Sequence, residues 1–323
     1  MLVISKQEQE KLIDMKEVLQ YVEKSLIAFA KNETVTPIRT ALPFANRANT
    51  ALFMPSVSDR LQTLGIKVVN VVPGNKTKNK KVINGIVYLF DINTGEPAAL
   101  LEGSYITQIR TGALSAVATK YMARSNASIL GIIGTGEQAI GLCKAILVVR
   151  DIEKVILYNR TEKKAKQFAI YIEKEYGITT EVVETANDVV IQSDVIVTAT
   201  YASKPIFTNE LQKGVHVNAV GSFRPSMQEL PSHAIIHAHK VVVESKEAAL
   251  EETGDLQNPV RKGFDSKSLV ELAEIISGKM LGRETEDEVT VFKSVGLAVV
   301  DVIVGQYVYE KAKDNGVGVG IIL

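Results

Sequence analysis

Gly134, Gly136 and Ala139 stand in G-x-G-x-x-A spacing within the stretch LGIIGTGEQAIGLCKAI, which runs from Leu130 to Ile146. The apolar residues ahead of the glycines have the character of a strand, and those behind have the spacing of a helix. In that order the three elements bring phosphate chemistry into view. The first glycine permits a tight turn, the second lets backbone approach a pyrophosphate, and a small third residue lets the helix pack closely on the strand. Glycine-rich turns also arise for structural reasons alone, but here the flanking strand, helix and next strand all fit dinucleotide binding.

The next strand ends in LYNRTEKK, about where an acidic side chain would hold the ribose 2′-hydroxyl of NAD. Asn159 and Arg160 occupy that place. A neutral amide does not repel a 2′-phosphate and a guanidinium can pair with it bidentately, so NADP(H) is the preferred cofactor, with NAD(H) possible. A solvated arginine at a strand end is the simpler alternative. His233, His237 and His239 lie close in sequence, yet no cysteine or carboxylate ligand set accompanies them, and no metal site is expected. Cys143, the single cysteine, reads as a small core residue. Neither a nucleophile elbow nor a P-loop is present.

These residues must be held by folded elements. From Ser128 onward, strand-like and helix-like runs alternate through SILGII, EQAIGLCKAILVV, KVILYN, EKKAKQFAIYIEKEYG, TTEVV, SDVIVTAT and VHVNAVG. Such alternation predicts βαβ units and a parallel sheet. After KVVVES, helical stretches are expected around Glu247 and Leu269, and a last helix from about Val291. The earlier chain differs. Leu12, Met15, Val18, Leu19, Val22 and Leu26 form the apolar stripe of a helix within residues 1 to about 30. NTALFMPSV, LGIKVVNVVPG and GIVYLFDINTGEPAALLEG are strand-rich runs parted by turns, which predicts an antiparallel or mixed sheet. YITQIRTGALSAVATKYMAR then returns to helix.

A chain of 323 residues is long for one core, and ~150 residues per domain suggests two. The last helix shares the apolar character of the N-terminal layer, so the chain's end is expected on the first domain. The fold class read from this is α/β, with a Rossmann-type doubly wound parallel sheet over residues 119–299 inserted in an α+β domain of residues 1–118 plus 300–323.

Lys plus Arg and Asp plus Glu each number 37, and with no basic run to track phosphates, no nucleic-acid partner is expected. The start MLVISKQEQEKL lacks the basic leader and apolar block of a signal peptide, and one cysteine cannot form an internal disulfide; a reduced, cytoplasmic protein is expected. SVGLAVVDVIVGQYVY, from Ser294, is interrupted by Asp301 and falls short of the ~20 apolar residues a membrane span needs. It reads as a buried helix, and no membrane association is expected.

The blocks PIRTALP, GIKVVN, YLFDINTGEPAALLEGSYITQIRTGALSAVATKYMAR, GIIGTGEQA, NRT, VNAVGSFRP and VFKSVGLAVVD together resemble the ornithine cyclodeaminase and mu-crystallin family over nearly the whole chain. The resemblance implies a homodimer whose outer domain binds substrate and dimerises. It also implies a substrate site at Arg39, Lys67 and Arg110. Two guanidinium forks suit the carboxylate of an amino or imino acid. A partly desolvated Lys67 among cations would have its pKa lowered toward the range useful for proton transfer, making it the catalytic residue. An isolated surface salt bridge is the alternative for each of these residues. By the same resemblance Thr111, beside Arg110, helps hold cofactor phosphate, and Gln138, Thr161, Thr200, Val220 and Ser294 lie near the dinucleotide.

Cyclodeaminases in this family resemble one another around a G-G-D-C-P-G-K loop whose aspartate manages water or a proton. The aligned loop here is GSFRPSM, with Phe223 at the aspartate position and Met227 at the lysine position. The expected activity is therefore NAD(P)H-dependent reduction of a cyclic imino acid, 1-pyrroline-2-carboxylate to L-proline or piperideine-2-carboxylate to L-pipecolate, placing the chain in proline metabolism. Ornithine cyclodeamination is the alternative, reachable if Glu229 swings into the site. An alanine-dehydrogenase-like reaction and a non-catalytic NADPH-binding role are the others.

Overall fold

The computed structural model describes residues 1–46, 48–78 and 80–322. Arg47, Asn79 and Leu323, all within the expected outer domain, lie outside the described residues. The chain divides into two compact units, Met1–Arg110 with Leu297–Leu323, and Thr111–Gly296. Both divisions fall earlier than the expected 118/119 and 299/300. The first lies inside the continuous helix Gly103–Met122, where no turn residue marks it.

The first unit is built on the strands β1 (Leu2–Ile4), β2 (Thr40–Phe44), β3 (Asn49–Ser58), β4 (Thr63–Val71), β5 (Ile83–Phe90) and β6 (Pro97–Glu102). The terminal strand Val319–Gly320 joins β1, and the sheet order is Val319–Gly320, β1, β6, β5, β4, β3, β2. β2 to β6 form an antiparallel meander, while β1 runs parallel to β6. Alternate residues of β4 are buried, as expected for a strand with one covered face. The helix Ala298–Asp314 packs over β3, β4 and β5, with the helix Met15–Ala30 beside it. The N-terminal stripe is not one helix. Ser5 caps Lys6–Leu12 and Asp14 caps Met15–Ala30, so two local side-chain caps break the run.

The second unit holds β7 (Ile129–Ile133), β8 (Lys154–Tyr158), β9 (Thr179–Val182), β10 (Val195–Thr198), β11 (His216–Ala219), β12 (Lys240–Val243), β13 (Val270–Glu271) and β14 (Thr290–Lys293). Every neighbouring pair is parallel, and the order is β13-β12-β14-β11-β10-β7-β8-β9. The order reverses between β7 and β10, and the carboxyl ends there frame the crevice in which such sheets take ligands. Two expected helices are corrected. The region of Leu269 leads into strand β13 before the helix Leu272–Ile276, and Thr290–Lys293 is a buried strand, with the last helix starting at Ala298. Short apolar runs carry no period that tells strand from helix. None of the helices among the described residues is long and apolar enough to cross a membrane.

Candidate active site

Lys67 sits in the middle of β4 on the face covered by helix Ala298–Asp314, paired across the sheet with Met54 and Val87. Glycines let the helix come close. A Cβ at Gly65 would lie 2.8 Å from the Leu89 side chain and 3.3 Å from Val302, and one at Gly305 would lie 3.1 Å from Val87. This spacing brings the short side chain of Asp301 to Lys67, with Nζ to Oδ1 at 2.6 Å. Arg110 Nε donates to the same oxygen at 2.9 Å.

All three side chains are buried, Asp301 completely. Burial pulls the Lys67 ammonium down to about 7; Asp301 works against that shift, and the positive charges of Arg110 and Arg39 work with it. Asp301 Oδ2 is buried with no hydrogen-bond partner among the described residues. The cluster thus carries more positive than negative charge in a dry place, which suits an anionic ligand and a group able to give or take a proton near neutrality. Asp301 was read from the sequence only as a break in an apolar run. The missed signal was that a carboxylate inside a buried helix must find cationic partners.

In the second unit, Gly134 ends β7 with φ +98°, a conformation that favours glycine. A Cβ there would lie 2.6 Å from the Ala199 carbonyl oxygen and 2.8 Å from Thr200 Cγ2. Gly136 is the N-cap of helix Glu137–Val149 without any side-chain cap, and a Cβ on it would meet nothing within 4 Å. Thr135 Oγ1 and Gln138 Oε1 are buried without partners among the described residues. Open space at a helix N-terminus with the unpaired Thr135 hydroxyl beside it fits a dinucleotide pyrophosphate.

Asn159 Oδ1 accepts from the Thr135 amide at 3.3 Å and its Nδ2 donates to the Thr161 carbonyl at 3.0 Å. Its amide therefore joins the end of β8 to the glycine turn. Arg160 is exposed and makes no hydrogen bond or ion pair with the described residues. Thr161 caps helix Glu162–Tyr176 by position, without a side-chain bond.

Thr200 follows β10, and both its amide and hydroxyl donate to Glu229 Oε1, at 2.6 and 2.7 Å. Val220 follows β11, its amide bonded to the Thr198 carbonyl. Ser294 is buried just past β14, its hydroxyl donating to Glu244. Thr111 is buried in helix Gly103–Met122. The hydroxyl hydrogens of Thr200 and Ser294 are thus already committed to carboxylates. Sequence spacing cannot reveal such internal partners.

Glu229 is turned inward, away from the place an acid for cyclodeamination would need. It is completely buried and accepts from Thr198 Oγ1 and the Gly221 and Ser222 amides as well as from Thr200. Phe223 stands edge-on to Tyr201, ring centroids 6.1 Å apart, with the Arg224 guanidinium 5.5 Å above it, and Met227 is buried. Cys143 is buried, and burial pushes its thiol up to about 12. His233 and His237 face one another with ring centroids 6.2 Å apart, and His239 Nδ1 accepts the Val289 amide.

The model of the ornithine cyclodeaminase/mu-crystallin family matches residues 1–316. A Delta(1)-pyrroline-2-carboxylate reductase of Bacillus cereus (strain ZK / E33L) is 63% identical over 320 residues, covering 98% of each chain. Among solved structures, Thermococcus litoralis Delta(1)-pyrroline-2-carboxylate reductase in complex with NADH and L-proline has a TM-score of 0.95 at 40% identity, covering 99% of this chain and 100% of its own. An archaeal alanine dehydrogenase dimer with bound NAD has a TM-score of 0.92 at 34% identity, covering 100% of this chain and 99% of its own. With its glycine turn, parallel sheet and buried Lys67–Asp301–Arg110 cluster, the chain belongs to the ornithine cyclodeaminase/mu-crystallin family.

Proposed function

We propose that this chain is an NAD(P)H-dependent reductase of a cyclic imino acid, with 1-pyrroline-2-carboxylate as substrate and L-proline as product. The observation that carries the reading is the buried Lys67–Asp301 pair beside Arg110, with Arg39 near enough for its charge to act on Lys67. The substrate and cofactor named for the similar Thermococcus litoralis reductase support it. Arg39 and Arg110 grip the substrate carboxylate, a planar anion that guanidinium forks orient well. Gly134, Gly136 and Gln138 at the glycine turn, with Thr111, Thr161, Thr200, Val220 and Ser294, would hold a nicotinamide dinucleotide, which would supply the hydride. Lys67, charged through its pairing with Asp301, gives a proton to the imine nitrogen, and water restores it. One hydride and one proton convert C=N to CH–NH, so no further acid is needed.

The loop after β11 has no carboxylate free for cyclodeamination, because Phe223 stands at the aspartate position and both Glu229 oxygens are bonded. Alanine dehydrogenation is the second reading, favoured by the similarity to the archaeal enzyme. A spectrophotometric screen of NADPH and NADH oxidation against 1-pyrroline-2-carboxylate, piperideine-2-carboxylate, and pyruvate with ammonia separates them. Cyclic imines should be reduced fastest; faster turnover of pyruvate and ammonia would favour the second reading, and ammonia release from L-ornithine would reinstate cyclodeamination.

The unpaired Arg160 supports NADPH over NADH, since a charge-assisted phosphate contact is worth ~1.5–3 kcal/mol, about tenfold or more. Equal specificity constants, unchanged by Arg160→Ala, would remove that preference. The assembly we infer is a homodimer formed through the first unit. Leu42, Phe44 and Ile86 are exposed there and β2 is exposed throughout, which fits an isologous interface. Light scattering should give twice the chain mass, and Ile86→Glu should lower it; a monomeric wild type would overturn the assignment.

A further inference from the structure

We propose that Glu229 is a positioning residue for the cofactor, a carboxylate clasp that fixes the two loops lining the ligand crevice of the parallel sheet; this rests on the nicotinamide reading of that crevice. The loop GSFRPSMQEL leaves β11 and turns back so that Glu229 lies beneath the carboxyl ends of two strands. Its Oε1 accepts from the Thr200 amide and hydroxyl, at 2.6 and 2.7 Å. Its Oε2 accepts from Thr198 Oγ1 at 2.9 Å, the Gly221 amide at 2.7 Å and the Ser222 amide at 3.2 Å. Thr198 ends β10 and Thr200 lies in the loop after it, while Gly221 and Ser222 belong to the loop after β11. One side chain therefore stitches both loops together.

The fit leaves little freedom. A Cβ on Gly221 would lie 2.3 Å from the Thr200 carbonyl oxygen and 2.4 Å from Glu229 Oε1. Asp255 Oδ1 holds the clasp from below, accepting the Glu229 and Leu230 amides at 2.7 and 2.9 Å. Lys293 Nζ lies 3.0 Å from Asp255 Oδ2, an ion pair without hydrogen-bond alignment. The glycine turn is tied to the same place, because Gly134 leaves no room for a side chain against Ala199 and Thr200. Release of Thr200 would thus change the wall against which the pyrophosphate turn is built.

Glutamine cannot replace this carboxylate. Whichever way its amide is turned, the NH₂ group faces at least one backbone N–H, either that of Thr200 or those of Gly221 and Ser222, and a donor facing a donor leaves both unpaired. Protonation has the same effect. Burial pushes the Glu229 carboxyl above the usual carboxylate range, Asp255 adds to that shift, and Lys293, with the Thr200 hydrogen bonds, opposes it.

The test is equilibrium binding of NADPH and of NADH, followed by nicotinamide fluorescence, on the full-length wild type, Glu229→Gln and Thr198→Val. Glu229→Gln should weaken cofactor binding about tenfold or more, with the KM for the imino acid moved far less. Amide hydrogen exchange should quicken at Thr200, Gly221 and Ser222. Wild-type affinity should fall on acidification, and this slope should flatten in Glu229→Gln. Thr198→Val removes one donor of the five and should give a smaller loss in the same direction, which keeps the test available if Glu229→Gln does not fold. Unchanged cofactor affinity in folded Glu229→Gln, or in Thr198→Val if that is the one recovered, overturns the clasp alone. No binding of either nicotinamide by the wild type overturns the reading of the crevice and the clasp with it.

Discussion

Two buried carboxylates, one in each unit, are held on opposite rules. Around Asp301 the cations are in excess, with Lys67 and Arg110 sharing one oxygen while the other has no partner among the described residues. Glu229 has both oxygens filled by five donors, and only the neighbouring ion-paired atoms, Lys293 Nζ and Asp255 Oδ2, are left there without hydrogen bonds among the described residues. A saturated network holds backbone in place. An unsaturated one, with a lysine drawn down to about 7 by burial, is equipped for exchange of protons and charge. On the proposed reading, the first carboxylate serves chemistry and the second serves as scaffolding.

Removing the lysine should break that contrast most visibly. Lys67→Ala is expected to lower turnover of the imino acid by ~100-fold to 10,000-fold while cofactor affinity, measured by fluorescence titration, stays near wild type. Near-normal turnover at saturating substrate would mean the unsaturated cluster is also scaffolding.

Next in size is Asp301→Asn. Asp301 raises the Lys67 pKa, so its loss should move the pH at which the ammonium is lost further down and shift the alkaline limb of the turnover profile to lower pH. Leaving Lys67 and Arg110 buried without their carboxylate should also destabilise the fold by about 3–5 kcal/mol. A profile that keeps its position would show that Asp301 does not govern Lys67.

The last prediction concerns a saturated group in the second unit, where the effect per pH unit is small. His216 bonds Thr290 Oγ1 and Asn218 Oδ1 and is completely buried, and burial lowers its pKa from 6.5 to about 3. Between those values the unfolded chain binds a proton that the folded chain refuses, so stability is full above the unfolded value and falls as pH drops toward the folded one. Denaturant unfolding of His216→Gln across that range should lose a slope of about 1.4 kcal/mol per pH unit. An unaltered slope would show that another group controls acid unfolding.

How much of this was legible in the sequence depends on whether the constraint is local. The glycine turn could be read because a positive φ at Gly134 and open space at Gly136 are demands on single residues. The alternation of strands and helices after Ser128 was equally local. The pairing of Lys67 with Asp301 joins residues far apart in the chain, and nothing in their neighbours announces it. Only the oddity of an aspartate within LAVVDVIVG pointed that way. Glu229 was visible as a carboxylate in a suggestive loop, yet its five donors come from two strands' ends, so its freedom was misjudged. A last helix is expected from about Val291, where strand Thr290–Lys293 stands instead, because four buried residues carry no period that tells the two apart.

The close approach of Ala298–Asp314 to β4 has a use in engineering. The gap between helix and sheet is gauged by the missing side chains at Gly65 and Gly305, so the reach of Lys67 can be retuned without touching a charged residue. A single methyl at Gly305, on the helix, would meet the Val87 side chain at 3.1 Å and act as a shim between helix and sheet while leaving every titrating group in the sequence. The contact between Lys67 and Asp301 is thus adjustable by thickness, a mechanical handle on what is otherwise an electrostatic device.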